Sequence, residues 1–485
     1  MTSAPLPESA PSRHGVNADG IAAFIDSTRD IELHSLMILR HGEVIASGWW
    51  EPYGPDRPHL LYSLSKSFTS TALGLAAAEG LVDLDATVLS YFPELDADVT
   101  DPRSRAMLVR HVASMASGHL ADTWPAAPQA DPDRPVRGFL RIPPDRDPGT
   151  VFAYNQSCTY TLATIVQRVT GQPLIEYLRP RLFDAIGIGT AAWDEFPAGQ
   201  AIGFTGLHVT TDAIARLGQL YLRKGQWDGR QVIPAEWVAE ATRKHIDNAF
   251  NASPDWQQGY GFQFWMCRHG YRGDGAYGQF CVVLPEQDAV LAITAGTEDM
   301  QGVLDAAWAH LLPAFDTAPA GVAAEEADAA LAKRLTRLRL PLPANAGPSN
   351  AGPSNAGPSN KVTADWPDAA SAPVDLTPDA GAAADLPSVR HVWVEDGKVT
   401  LVEDALTLEL PLTEGEWQVT EAPVPVAAGG AWTGPGELTV DIVFLETPHR
   451  LSLTCSLRNG TFGVRWHTRP LRGVDSVRQL RSPGR

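Results

Sequence analysis

The chain has 485 residues, of which 44% are hydrophobic and 20% are charged, and its formal net charge is -19 at pH 7. This composition is typical of globular proteins, and the length predicts two or three domains that each bury a core. The acidic balance argues against nucleic acid or an anionic membrane as the main partner, since such binding needs clustered Lys and Arg.

The cysteines and the first residues bear on the cellular compartment. Four cysteines lie far apart and form neither a CxxC pair nor a dense disulfide framework, which predicts reduced, buried thiols. The opening stretch MTSAPLPESAPSRHG lacks the basic start and apolar run of a secretory signal. No stretch is long and apolar enough to span a bilayer. Together these features predict a cytoplasmic protein.

The elements predicted before residue 316 are strands at both ends with helices between them. A hairpin is predicted at 36–50, and a helix rich in Ala and Leu at 63–79. The further predicted elements are helices at 160–169 and 211–222 and strands at 280–284 and 289–294. This order favours an antiparallel sheet completed by both ends of the domain.

The clearest domain boundary follows this region. Ala-Gly-Pro-Ser-Asn occurs three times in tandem from Ala346 to Asn360. Such composition cannot bury enough apolar surface to offset chain entropy, so residues 316–385 are predicted as a flexible linker between domains at 1–315 and 386–485. Alternating strand patterns predict that the last domain is all-β, either a sandwich or an open barrel.

Ser63-Leu64-Ser65-Lys66 opens the first strong helix. Residues three apart are neighbours on a helix, so the Lys66 ammonium is expected beside the Ser63 hydroxyl. A serine hydroxyl is a poor nucleophile and needs a base within hydrogen-bond reach, a role open to a buried lysine. The helix N-terminus also puts partial positive charge where an oxyanion would form. Taken alone, the pattern equally suits a polar first helical turn.

Longer blocks around this pattern carry a family resemblance. LLYSLSKSFTSTALGLAAAEGLVDLDATVLSYFPEL resembles the nucleophile region of the serine β-lactamase and penicillin-binding-protein superfamily. MASG at 115–118, PGTVFAYNQSCTYTLATIVQRVTG at 148–171 and KGQWDGRQVIPAEWV at 224–238 follow in that family's order. Over about residues 30–310, the chain is similar to class C-like esterases, D-peptidases and 6-aminohexanoate-dimer hydrolases.

The resemblance implies an α/β (α+β) fold of the β-lactamase/DD-peptidase type, with an antiparallel sheet flanked by helices and an all-helical lobe. The family's Tyr-x-Asn motif corresponds to Tyr154-Asn155-Gln156. Tyr154 would then relay a proton between Ser63 and the leaving group, with Lys66 lowering its pKa. Gln156, in place of the usual Asn, would offer its amide to the substrate carbonyl.

At the family's third motif, a Lys-Thr-Gly or His-x-Gly triplet, the aligned residues are Gly273-Asp274-Gly275. The family's cation is missing there, and Asp274 is expected to repel a β-lactam carboxylate. Both features favour neutral or amine-bearing esters and amides as substrates. Gly275 begins a Gly-x-x-Gly-Gln pattern similar to the oligoamide hydrolase branch. In that register the backbone N–H groups of Ser63 and Ala276 would form the oxyanion hole.

Other candidate substrate contacts are single residues. His119 and Asp122 lie just after the MASG block, near where the family lines its cleft. Trp124 and Tyr277 are candidates for an apolar pocket. No metal-ligand spacing and no G-x-S-x-G elbow occurs, and the G-x-G-x-x-G match at 273–278 leads into a strand rather than a helix. Neither a metal nor a cofactor is therefore predicted.

The sequence predicts a serine hydrolase whose small-molecule ester or amide substrate acylates Ser63, with water releasing the product. Three alternatives stay open: an acyltransferase of the same fold, a β-lactamase or D-peptidase, and a non-catalytic binding protein that kept the fold. The oligomeric state also stays open.

Overall fold

The structure is a computed structural model that describes residues 4–343, 373–395, 397–473 and 476–483. The chain divides into two compact units. Among the described residues, the first unit comprises 4–49, 55–337 and 482–483, and the second comprises 50–54 and those between 338 and 481. The tandem repeat at 346–360 lies outside the described residues.

The first unit is built on a mainly buried antiparallel sheet. The strands of this unit are β1 (Leu33–Arg40), β2 (Glu43–Trp49), β3 (His59–Leu60), β4 (Ala192–Trp193), β5 (Leu207–Val209), β6 (Gln226–Trp227), β7 (Arg230–Gln231), β8 (Trp265–Cys267), β9 (Gly270–Gly275), β10 (Gln279–Leu284) and β11 (Ala289–Ala295). The main sheet has the order β2-β1-β11-β10-β9-β8. Strands β1, β10 and β11 are buried along their whole length. This burial suits the largely apolar sequences of β10 and β11, whereas β1 also buries His34, Ser35 and Arg40.

Helices pack against this sheet and against one another. They are α1 (Ala18–Ser27), α2 (Ser65–Ala78), α3 (Pro102–Ala106), α4 (Val109–Ala113), α5 (Ala127–Ala130), α6 (Pro135–Arg141), α7 (Gln156–Thr170), α8 (Leu174–Leu178), α9 (Asp184–Ile186), α10 (Thr211–Leu222), α11 (Ala235–Ala241), α12 (Met300–Ala306) and α13 (Val322–Leu335). Helix α10 covers β1, β10 and β11, while α4, α6 and α8 pack on α7 in a helical lobe. The predicted α/β (α+β) class, sheet and helical lobe are confirmed.

Helix α2 is buried on nearly every side although it is rich in hydroxyl residues. The hydroxyl of Ser65 accepts a backbone N–H at 3.1 Å. The hydroxyls of Thr69 and Ser70 donate to the carbonyls of Gly203 at 2.8 Å and Phe262 at 2.6 Å. These bonds satisfy polar groups that burial would otherwise leave without partners. They also hold the start of α2 against loops that approach it from two directions.

The second unit is a nearly closed β-barrel. Its elements are β12 (Val374–Pro378), α14 (Ala380–Asp385), β13 (Val389–Glu395), β14 (Lys398–Glu403), β15 (Leu406–Pro411), β16 (Gln418–Thr420), β17 (Val426–Gly434), β18 (Glu437–Phe444), β19 (Arg450–Ser456) and β20 (Thr461–Trp466). The sheet order is β15-β14-β13-β12-β20-β19-β18-β17-β16, and its edge strands β15 and β16 contact each other. Leu376, Val392, Leu401 and Leu453 belong to its apolar core. The predicted separate all-β domain is confirmed.

Both ends of the range predicted as linker, 316–385, contain regular elements. Helix α13 lies at the start of this range, and β12 and α14 lie at its end. The α13 sequence consists mostly of strong helix formers, and the helix buries Ala324 and Leu331. The structure therefore differs from the prediction there, because a high Ala content suits a helix as well as a linker.

The cysteines are all buried free thiols, as predicted. Burial raises the pKa of the Cys158, Cys281 and Cys455 thiols to about 12. No helix in the described ranges combines the length and the hydropathy needed to cross a bilayer.

Candidate active site

Ser63 lies in a short 3-10 turn, Tyr62–Leu64, that leads directly into α2. Its side chain is partly exposed, whereas Lys66 is only 1% exposed. Lys66 Nζ donates a hydrogen bond to Ser63 Oγ at 2.8 Å. The three-residue spacing thus produces the expected contact, and it places a basic group within hydrogen-bond reach of the hydroxyl.

Groups from other elements hold the Lys66 side chain in this position. Nζ also donates to the backbone carbonyl of Phe204 at 2.9 Å. It lies over the rings of Tyr154 and Phe204, at 4.7 and 5.5 Å from their centroids. A buried amino group needs such partners because it has lost its hydration. Together these contacts aim Nζ at Ser63.

Tyr154 reaches the same point from the start of α7. Asn155 is the N-cap of this helix, and its Oδ1 accepts a backbone N–H of the first turn at 3.0 Å, which fixes the residue before it. The Tyr154 ring lies 4.7 Å from Lys66 Nζ, and it stacks on Trp265 with 5.1 Å between the centroids. The structure therefore brings Ser63, Lys66 and Tyr154 together.

The electrostatic environment of Tyr154 differs from the expectation that Lys66 lowers its pKa. Loss of solvation and the nearby carboxylate of Asp274 raise the pKa of Tyr154 above its ordinary value near 10. That expectation was wrong in direction. Near neutral pH the phenol keeps its proton, so it is suited to donate a proton rather than to accept one.

Strand β9 ends beside the backbone N–H of Ser63. A Cβ on Gly275 would lie 2.0 Å from a carbonyl oxygen of the preceding turn and 3.0 Å from Ser63 N, so only glycine fits this close approach. Ala276 follows directly, where the predicted second oxyanion donor belongs. Tyr277 has φ +66° and is 7% exposed, and its ring packs edge-on against Tyr62 at 5.7 Å. Tyr277 therefore supports the turn rather than lining an open pocket.

The sequence prediction requires Asp274 to face a substrate, but the structure buries this residue. Its side chain is 6% exposed and accepts a hydrogen bond at 2.9 Å from Nε of Arg272, whose side chain is 0% exposed. Such a pair carries no net charge that could repel a carboxylate. The reason is strand alternation, since residues 272 and 274 share one face of β9. Gly273 faces α2 instead, where a Cβ would lie 2.4 Å from helix side chains.

Arg272 is a residue that the sequence analysis missed. Its guanidinium lies over the ring of Trp265 at 5.9 Å, and this ring in turn stacks on Tyr154. A buried cation therefore stands one aromatic ring away from Tyr154, although Gly273 occupies the place of the family's cation. The available signal was the two-residue spacing from Asp274, which puts opposite charges on one face of a strand.

His119 does not contact the candidate cleft. Its ring is 2% exposed and joins Ser117 Oγ to the backbone carbonyl of Ile142, with both hydrogen bonds at 3.0 Å. Burial lowers the pKa of His119, which favours the neutral ring. The structure thus assigns it a packing role, in contrast to the predicted substrate contact. No group of three or more His, Cys, Asp or Glu in the described part of the chain could hold a metal ion.

Gln156 and Trp124 lie around the carboxylate of Asp122. Asp122 Oδ1 accepts the backbone N–H groups of Trp124 at 3.0 Å and Gln156 at 2.9 Å. The Gln156 Oε1 atom is buried and lacks a hydrogen-bond partner among the described residues. The Trp124 ring is partly buried and lies 4.7 Å from the ring of Phe204, whose carbonyl binds Lys66. These residues therefore border the Ser63 cluster.

Comparison with known proteins agrees with this fold. The pattern that defines the Beta-lactamase family matches residues 21–314, more than half of the chain. The chain therefore belongs to the Beta-lactamase family.

Two curated relatives are hydrolases. The chain is 28% identical over 282 residues to the 6-aminohexanoate-dimer hydrolase of Paenarthrobacter ureafaciens. The aligned region covers 53% of this chain and 71% of the relative. It is also 28% identical over 182 residues to the lovastatin esterase of Penicillium rubens. That aligned region covers 33% of this chain and 45% of the relative. The chain therefore belongs to a hydrolase family that includes amide-cleaving and ester-cleaving relatives.

A solved structure resembles the chain over both units. The crystal structure of SurE superposes with a TM-score of 0.51 at 17% sequence identity, and it covers 89% of this chain and 95% of its own. The combination of this hydrolase fold with a C-terminal β unit thus recurs in another protein.

Proposed function

We propose that the chain is a serine hydrolase that cleaves a small-molecule ester or amide through an acyl-enzyme on Ser63. The observation that carries this proposal is the 2.8 Å hydrogen bond between Lys66 Nζ and Ser63 Oγ. The Tyr154 ring lies 4.7 Å from the same Nζ. The hydrolase and esterase relatives support the same reaction class.

In acylation, unprotonated Lys66 accepts the Ser63 proton as Oγ attacks the substrate carbonyl. The backbone N–H groups of Ser63 and Ala276 stabilise the oxyanion that forms. As the bond to the leaving group breaks, Tyr154 donates its proton to the departing oxygen or nitrogen and regains one from Lys66. The raised pKa of Tyr154 suits this role, because the phenol is protonated at the start of the step.

In deacylation the same groups act on water. A water molecule replaces the leaving group, gives a proton to the Lys66–Tyr154 pair and attacks the acyl carbon. The bond to Ser63 Oγ breaks, and the serine regains its proton. Apart from the substrate and water, the reaction needs no further reactant.

A fluorophosphonate probe tests the nucleophile. The expected result is one label per chain, located on Ser63 by peptide mass spectrometry, because a phosphonate reacts with an activated serine. Ser63→Ala is expected to take up no label, while Ser90→Ala, at an exposed position, labels normally. A wild-type chain that is folded and stays unlabelled would contradict the proposal.

The pH dependence of turnover tests the role of Tyr154. Because the pKa of Tyr154 is raised above its ordinary value near 10, its loss of a proton is expected to cause no fall in kcat/KM between about pH 7 and about pH 9.5. The measurement is the kcat/KM of p-nitrophenyl butyrate across this range, with spontaneous hydrolysis subtracted. A falling limb near pH 8 that disappears in Tyr154→Phe would show that the phenol ionises and would exclude the proposed proton donor.

A further inference from the structure

The peptide group that follows Tyr154 is hydrogen-bonded to a sulfur atom. The backbone N–H of Asn155 donates to Sδ of Met115 at 3.4 Å. Asn155 is the N-cap of α7, a position whose N–H has no acceptor inside its own helix. The residue is also 0% exposed, so water does not supply the acceptor. The thioether therefore satisfies a buried donor directly beside the candidate proton donor.

Met115 holds the chain on both sides of Tyr154. Its carbonyl oxygen accepts the backbone N–H of Ala153 at 3.1 Å, and its thioether accepts that of Asn155. Residues 151–155 belong to no helix or strand, so no regular ladder of hydrogen bonds fixes them. The backbone that carries the phenol is thus fastened to one residue, immediately before and immediately after Tyr154.

The conformation of Met115 is unusual for its residue type. Its φ is +58°, in the left-handed region that residues with a side chain seldom adopt. Such a conformation persists only where the surrounding structure enforces it. Glycine would adopt it without strain, but glycine would supply neither the apolar volume nor the acceptor. A methionine held in this conformation suggests that its side chain has a specific task.

Apolar packing alone does not account for a sulfur atom at this position. Met107 and Met115 are both 0% exposed and belong to the same core. In the described part of the chain, the sulfur of Met115 accepts a hydrogen bond and that of Met107 does not. Leucine fills core space of nearly the same volume as methionine, but it offers no acceptor. The two methionines therefore separate the packing role from the hydrogen-bonding role.

We propose that Met115 is a positioning residue that holds the Tyr154 phenol in place for proton donation to the leaving group. It acts through the backbone on either side of Tyr154 rather than on the substrate. This inference rests on the proposed function, in which Tyr154 is the proton donor. Its consequence is that loss of the Met115 acceptor slows a reaction in proportion to the leaving group's need for a proton.

Two esters with the same acyl group test this consequence. The p-nitrophenolate of p-nitrophenyl butyrate leaves as a stable anion, whereas the ethoxide of ethyl butyrate must be protonated as it leaves. Met115→Leu is expected to lower kcat/KM for ethyl butyrate by about 10-fold and that for p-nitrophenyl butyrate by less than about 2-fold. Acid release at constant pH measures both.

Two outcomes of this comparison would overturn the inference. A general packing defect would slow both esters alike, so equal losses in Met115→Leu would exclude a role through the proton donor. A wild type that cleaves only the activated ester would show that no proton donor is at work. Met107→Leu is the matched control, and it is expected to keep the wild-type ratio of the two kcat/KM values.

A double variant locates the effect at Tyr154. Tyr154→Phe lacks the proton donor, so it is expected to show the loss for ethyl butyrate by itself. Adding Met115→Leu to Tyr154→Phe is then expected to leave the ratio of the two esters unchanged, because no phenol remains to be positioned. A further fall of the ratio in the double variant would show that Met115 acts elsewhere and would overturn the inference.

A second replacement covers the case in which Met115→Leu does not fold. Norleucine, incorporated in place of every methionine, exchanges sulfur for a methylene group at the same length, whereas selenomethionine keeps an acceptor. The norleucine protein is expected to show the lowered ratio and the selenomethionine protein the wild-type ratio. Equal ratios would overturn the inference.

Failure of the positioning role is distinguishable from failure of the proposed function. If Ser63 takes the fluorophosphonate label and Tyr154→Phe depends on the leaving group, but Met115→Leu does not, only the positioning role fails. If Tyr154→Phe also shows no such dependence, the proposed proton donor fails with it. If Ser63 is unlabelled and neither ester is cleaved, the hydrolase proposal itself fails.

Discussion

Lys66→Met is expected to lower kcat/KM for p-nitrophenyl butyrate by about 10²- to 10⁴-fold, the range typical of a lost general base. Methionine keeps the length and apolar stem of lysine but cannot accept the Ser63 proton. The measurement is steady-state hydrolysis beside a thermal melt of the same sample. Lys333→Met, at an exposed helical position in α13, is expected to change neither value appreciably.

The stability of this variant has its own expectation. Lys66→Met removes the donor to the carbonyl of Phe204, at a cost of about 1–3 kcal/mol, and it also removes a buried polar amine whose desolvation opposes folding. The variant is therefore expected to fold with a moderate change in its melting temperature. Folded Lys66→Met with more than a tenth of the wild-type kcat/KM would contradict the assignment of Lys66 as the base.

Breaking the Arg272–Asp274 pair is expected to give the largest loss of stability. Arg272→Met or Asp274→Ala leaves a buried charge without its partner, which costs about 3–5 kcal/mol in the free energy of unfolding. The two side chains are 0% and 6% exposed, so water cannot replace the lost partner. The double variant is expected to cost less than the sum of the single ones. Urea denaturation of the full chain measures all three values.

The control for this pair is an exposed pair of the same residue types. Arg390 and Asp404 meet at 3.3 Å with side chains that are 58% and 78% exposed. Asp404→Ala is expected to change the free energy of unfolding by no more than about 1 kcal/mol, because solvent screens the pair. A loss in Asp274→Ala as small as that in Asp404→Ala would contradict the structural role of the buried pair.

The part of the site that depends on local geometry was predictable from the sequence. Ser63 and Lys66 are three residues apart on one helix, and this spacing alone predicts their contact. The sheet and the helices around it followed from hydrophobic patterns and the family resemblance. Tyr154 was placed by its position in a longer sequence block, since no spacing rule relates it to Ser63.

The parts that depend on burial were not predictable. The raised pKa of Tyr154 follows from its desolvation and from the charge of Asp274, which is distant from Tyr154 in the sequence. The prediction that Asp274 is exposed was wrong, because the sequence pattern does not show which face of β9 is covered.

The hydroxyl-rich sequence of α2 reverses the usual relation between burial and hydrophobicity. Thr69 is fully buried, yet its hydroxyl is the group that holds the loop at Gly203. An exchange of threonine for valine, conservative in shape, would leave this carbonyl without its donor. Mutational tolerance along α2 would therefore follow hydrogen-bonding capacity rather than side-chain volume, and a profile based on apolar periodicity would rank these core positions as surface.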